Sequence, residues 1–133
     1  LLAGVAGVVL AAEVQAGDPP AATTPLAVKA RLEAARRGLE QFEQGSAGST
    51  DYGLVRVWAR RVMEAELVLC ACPAERKAAL EAYVRRARNV ERVVRAGHKA
   101  KAVALGEVLE AEFFRADAEA LLVEELDRQP RGG

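Results

Sequence analysis

A chain of 133 residues with 51% apolar side chains has room for one domain with a modest core. Its 19 Lys and Arg balance 19 Asp and Glu, so no overall field directs it to nucleic acid or an anionic surface. Aromatic residues make up only 5%, while Ala, Leu, Glu and Arg, all strong helix formers, are abundant, which points to helices that bury small and aliphatic groups.

Leu1 to Ala12 (LLAGVAGVVLAA) is a pure apolar run. It is too short to cross a hydrocarbon core of roughly 30 Å, which needs about 20 helical residues. It matches a signal-peptide apolar region, and Val14-Gln15-Ala16 presents small residues where a signal peptidase reads. With no initiator Met or basic leader, residues 1–16 read as a truncated signal peptide, and the protein as exported to the periplasm or cell envelope; a clipped transmembrane anchor is the rival. The mature chain then contains no integral membrane span. Residues 17–24 (GDPPAATT) read as a linker.

The helical domain is expected over 25–128. A first helix over Leu26–Gln44 has Thr24 as its cap and Pro25 at its first position. Its seam is Val28, Leu32, Ala35, Leu39 and Phe42, with Gly45 ending it. After a GSAGST loop, a second helix over Asp51–Ala71 has Thr50 as cap and a seam of Val55, Trp58, Val62, Ala65 and Leu69. Trp58 reads as an anchor between helices. Cys70 and Cys72 read as small apolar residues near a helix end, since helical residues two apart point about 200° away from each other.

Pro73 opens a third helix, over Pro73–Ala96, with a seam of Leu80, Tyr83, Ala87, Val90 and Val94 and Gly97 closing it. A fourth, over Val103–Asp127, is expected to bury Leu109, Phe113, Ala116, Ala120 and Val123, widened by Leu105, Val108, Leu122 and Leu126. Residues 129–133 form a disordered Pro/Gly tail. The third helix carries a net charge of +4 and the fourth, counted to Arg128, −6, so opposite fields favour packing these two side by side. Short connections imply an all-α, antiparallel four-helix bundle made of two hairpins, 25–71 and 73–128.

The two hairpins look like an internal repeat: placing Gly45 over Gly97 brings Ala65-Glu66-Leu67-Val68-Leu69 near Ala118-Glu119-Ala120-Leu121-Leu122. Gly97, Val108, Leu109, Ala111, Glu112, Ala116, Glu119 and Leu122 resemble the coiled-coil hairpin motif of TolC-like outer-membrane efflux proteins. The resemblance implies the periplasmic helical-hairpin part of such a protein. No stretch alternates as membrane β-strands do, so channel activity does not carry over.

No catalytic, cofactor-binding or metal-ligating set is legible: His98 is the only histidine, and the acids of the fourth helix, such as Glu107 and Glu110, read as a solvated face. The expectation is a non-enzymatic structural or interaction protein of the cell envelope. It would self-associate or bind another helical envelope protein through packing positions Leu32, Leu39, Phe42, Trp58, Val62, Leu69, Tyr83, Val90, Leu109, Phe113 and Leu122. Spare apolar stripes for that purpose are Leu122 with Leu126, or Met63 with Leu67. The alternative is a small periplasmic helical chaperone or stress sensor.

Overall fold

The computed structural model describes residues 24–44 and 50–129. Four helices and no strand occur among them: α1 (Pro25–Glu43), α2 (Tyr52–Leu69), α3 (Pro73–Lys99) and α4 (Leu105–Arg128). The all-α expectation holds. The expected signal peptide, the linker up to Thr23, the Gly45–Ser49 part of the loop and the tail from Pro130 lie outside the described residues.

Local chemistry sets most helix ends. Thr24 Oγ1 accepts the Ala27 N–H at 3.2 Å, and Pro25 occupies the first turn, where a missing N–H leaves nothing unpaired. The second helix is capped one residue later than expected: Asp51 Oδ1 accepts the Leu54 N–H at 3.1 Å, so Asp51 is the cap and Thr50 lies outside. A charged carboxylate meeting the positive end of the helix dipole makes Asp51 the better acceptor. Glu107 caps α4 from inside, its Oε2 accepting the Ala104 N–H at 3.3 Å.

The largest boundary correction is at Gly97, which does not close α3. The helix continues to Lys99, and the Ala102 N–H donates to Gly97 O while the Lys101 N–H donates to His98 O, both at 2.9 Å. These two bonds form a Schellman motif, whose left-handed residue is usually Gly. Here it is Lys101, with φ +61°. Gly97 serves another purpose: a Cβ there would lie 2.6 Å from Val103 Cγ2, so its bare backbone makes room for the returning chain. Lys101→Gly is expected to raise stability by about 1 kcal/mol by removing the left-handed penalty. A higher urea midpoint at unchanged slope would show it, and a lower midpoint would contradict this turn.

Antiparallel order is visible in the side-chain pairs. Arg76, near the start of α3, meets Glu125, near the end of α4, whereas Arg95, near the end of α3, meets Glu112 at 2.7 Å. Between these, Arg115 pairs with Glu91, and Arg88 with Glu119 at 3.2 Å. The oppositely charged helices therefore lie together. Each exposed pair contributes little on its own. Glu91, an acid on the basic helix, meets Arg115, a base on the acidic one, and a shifted register would set Glu91 against carboxylates.

The packing is centred on α2, which lies against α1, α3 and α4, while the backbone of α1 approaches only α2. The first three expected seams hold in the main. Val28, Leu32, Ala35 and Leu39 of α1, Val55 and Val62 of α2, and Leu80, Tyr83, Ala87, Val90 and Val94 of α3 are buried. Phe42, Trp58, Ala65 and Leu69 are partly buried against them. Trp58 fits because Gly38 of α1 has no side chain: a Cβ there would come within 2.5–2.7 Å of the indole ring. The guanidinium of Arg61 lies over the indole, 4.4 Å from the Trp58 ring centroid.

Because α2 has neighbours on more than one side, its apolar surface is wider than one heptad seam. Ala59 and Met63 are buried as well, and Leu67 packs against the core. Met63 and Leu67 are thus not a spare stripe, contrary to expectation.

The fourth seam is corrected at its five main positions and at Leu105 and Leu126, whereas Val108 and Leu122 pack inward as expected. Leu109, Phe113, Ala116, Ala120 and Val123 are all exposed. The buried residues are Val108, Ala111, Phe114, Ala118 and Glu125, with Leu121 and Leu122 half-buried beside them. Apolar residues surround α4 on nearly every side, so heptad spacing alone fits two seams. Phe114 decides between them by stacking on Tyr83 with ring centroids 5.4 Å apart and planes tilted by 58°.

Candidate interaction surface

The residues with reactive side chains are occupied by the fold. His98 Nδ1 lies 2.9 Å from Val103 O, and since a carbonyl only accepts, this nitrogen carries the proton and ties the ring to the α3–α4 turn. Glu107 is the α4 cap described above. Cys70 and Cys72 are free thiols, and neither lies within a helix: they terminate α2 and precede α3. Burial pushes the Cys70 thiol above its ordinary pKa, which makes it a poor nucleophile. Among the described residues no group of three or more His, Cys, Asp or Glu is placed to hold a metal ion, and no helix is long and apolar enough to cross a membrane.

What α4 leaves in solvent is more informative. Leu105, Leu109, Phe113, Ala116, Ala120 and Val123 follow one another at spacings of 4, 4, 3, 4 and 3 and share one face along the helix. Phe113 is 66% exposed, and Leu105, Leu109 and Val123 each exceed half. Single exposed apolar residues are ordinary, but a continuous stripe on a helix already packed on its other face marks a surface for another partner. Leu109 and Phe113 therefore belong to the surface, while the other expected packing positions, Leu32, Leu39, Phe42, Trp58, Val62, Leu69, Tyr83, Val90 and Leu122, belong to the interior or its margin.

Carboxylates flank this stripe on both sides. By helical position, Glu110, Asp117 and Glu124 lie along the edge towards α2, and Glu112 and Glu119 along the edge towards α3. Several are already engaged: Asp117 with Arg60 at 3.0 Å, Glu112 with Arg95, and Glu119 with Arg88 and Arg115. Glu110 has no ion partner among the described residues, and Glu124 reaches only Arg128, at 3.8 Å.

A cleft of about 370 Å³ runs between α2 and α4 beside Phe113. Arg56, Val57 and Arg60 line its α2 wall, Asp117 the α4 wall, and Tyr83 the base. Arg60 crosses it, donating from Nε to Glu64 at 2.8 Å and from Nη1 to Asp117. The hydrogen bond to Glu64 is the main reason its pKa is raised. Burial, the largest influence on Tyr83, raises the phenol's pKa and keeps its hydroxyl protonated. Sequence periodicity did not reveal this surface, because it assigned the same residues to the core.

No family model matches the chain, and no curated protein or solved structure matches it either.

Proposed function

We propose that this chain is a non-enzymatic helical interaction protein of the cell envelope whose outer α4 face receives an amphipathic helix of another protein. The carrying observation is the exposed stripe from Leu105 to Val123. An apolar stripe at heptad spacing is what helix-in-groove and coiled-coil recognition use. Carboxylates on both edges favour a partner with Lys or Arg beside its own apolar seam. Any α4-to-α4 pairing of two copies would set acid against acid, whether parallel or antiparallel. The envelope assignment rests on the apolar run at Leu1–Ala12 and its resemblance to a signal peptide. The TolC-like resemblance belongs to the same proposal: it implies paired helical hairpins, an arrangement compatible with α1–α2 and α3–α4.

The test uses a synthetic amphipathic helix with a Leu seam flanked by Lys, titrated into the full chain and followed by fluorescence anisotropy. Saturable binding is expected, weakened about tenfold (~1.4 kcal/mol) by Leu109→Ala with Phe113→Ala, and weakened again by salt. Binding indifferent to that double substitution would overturn the surface. Light scattering of the chain alone checks the occupant: a stable dimer abolished by Phe113→Glu would replace the foreign helix with a second copy. The same exposed stripe also supports reading the chain as a small periplasmic chaperone, distinguished by a monomer that suppresses aggregation of an unfolded client.

A further inference from the structure

The flank of α3 opposite its acid-paired residues carries a second, unrelated feature. Arg76, Arg88 and Arg95 each meet a carboxylate of α4, and Arg92 donates to Asn89 Oδ1 at 2.7 Å. Arg85 and Arg86 have no ion partner among the described residues. Both line an open cleft of about 560 Å³ between α3 and the end of the α1–α2 hairpin. Of the two, Arg86 carries an Nη1 atom that is buried without a hydrogen-bond partner. Burying a charged donor unsatisfied is costly, so a fold that keeps one is poised for an acceptor it does not itself supply.

The surroundings define that acceptor. Val55, Val90 and Val93 give the cleft apolar walls, and Tyr52 adds its ring at the first turn of α2, beside the positive end of that helix's dipole. Asn89, its oxygen taken by Arg92, has its amide N–H groups available to donate. Glu43 is the one acid among the lining residues, and it lies outside ion-pair distance of both arginines. Two guanidiniums against one carboxylate leave the cleft positive, and guanidinium presents N–H groups in a fork that matches phosphate and carboxylate oxygens.

We infer that this cleft binds a small organic oxyanion, its charged head on Arg86 and Arg85 and its apolar body on Val55, Val90 and Val93. The site is independent of the α4 surface and stands whether or not that surface docks a helix.

The experiment titrates the full chain with phenyl phosphate, and in parallel with inorganic phosphate, following backbone amide and arginine Nε–H resonances. Phenyl phosphate is expected to bind saturably, with shifts concentrated at Tyr52, Arg85, Arg86, Asn89 and Val90, and about tenfold tighter than inorganic phosphate because of the apolar walls. Arg86→Met should weaken phenyl phosphate at least about tenfold while leaving the melting temperature unchanged or higher, since it removes an unpaired buried charge. The same affinities for the two anions would overturn the apolar part of the site. No saturation by about 10 mM, or undiminished binding by Arg86→Met, would overturn all of it. An Arg86→Met chain that fails to fold would show Arg86 to be structural and would equally refute the inference.

Discussion

Phe114→Ala is expected to cost about 3–5 kcal/mol of stability, whereas Phe113→Ala, one residue away, should stay within about 0.5 kcal/mol. Phe114 is 2% exposed and packs on Tyr83, so truncation removes buried area and leaves a cavity that neighbouring helices can only partly fill. Phe113 has its ring in solvent and leaves no cavity. Urea unfolding of the two variants reads the difference directly, as a large midpoint shift for one and almost none for the other. Equal losses, or the reverse order, would mean that α4 is turned by one residue and that its proposed outer face is the core.

The second large effect concerns Glu125, the one buried charged residue among those described. Its carboxylate accepts from Arg76 Nε, and Arg76 Nη1 also donates to Leu67 O at 3.3 Å. One guanidinium thus fastens the start of α3 to both the end of α4 and the last turns of α2. Glu125→Ala should cost about 2–3 kcal/mol. That is below the upper range for a broken buried pair, because the Arg76 side chain is 35% exposed and can turn to water. Glu125→Gln keeps the shape and one acceptor, so about 1 kcal/mol is expected. Thermal unfolding distinguishes the two, and an alanine variant as stable as the parent would show that the clasp contributes nothing.

Fold class and the first three helix faces were legible because each depends on a pattern carried within one helix. Val28, Leu32, Ala35 and Leu39 admit one buried face, as do Leu80, Tyr83, Ala87, Val90 and Val94. The α4 face was not legible, because Leu109–Phe113 and Val108–Phe114 satisfy apolar spacing equally well. The choice is made by partners on other helices: Tyr83 for the ring, Arg76 for Glu125, and Glu91 for Arg115. Gly38 and Gly97 were obscure for the same reason. Each is defined by what approaches it, Trp58 in one case and Val103 in the other, and neither approach is written in local sequence. The arginine cleft belongs to this group too: in sequence, Arg85 and Arg86 are two more charges in a basic run, and only the fold separates them from the carboxylates that neutralise their neighbours.

The solitary attachment of α1 has a consequence for how this protein comes apart. A helix whose backbone approaches one neighbour has less packing to break than the other three, although its Leu32 and Glu43 also line clefts shared with α3. Detachment leaves the Tyr83–Phe114 stack and the Arg76–Glu125 clasp in place and uncovers the Trp58 edge of α2. Loss of α1 is thus the expected first step of opening, and amide exchange faster in α1 than in α2, α3 and α4 would show it. Were a second copy to supply its own α1 to that uncovered edge, this hairpin is where the two chains would exchange segments.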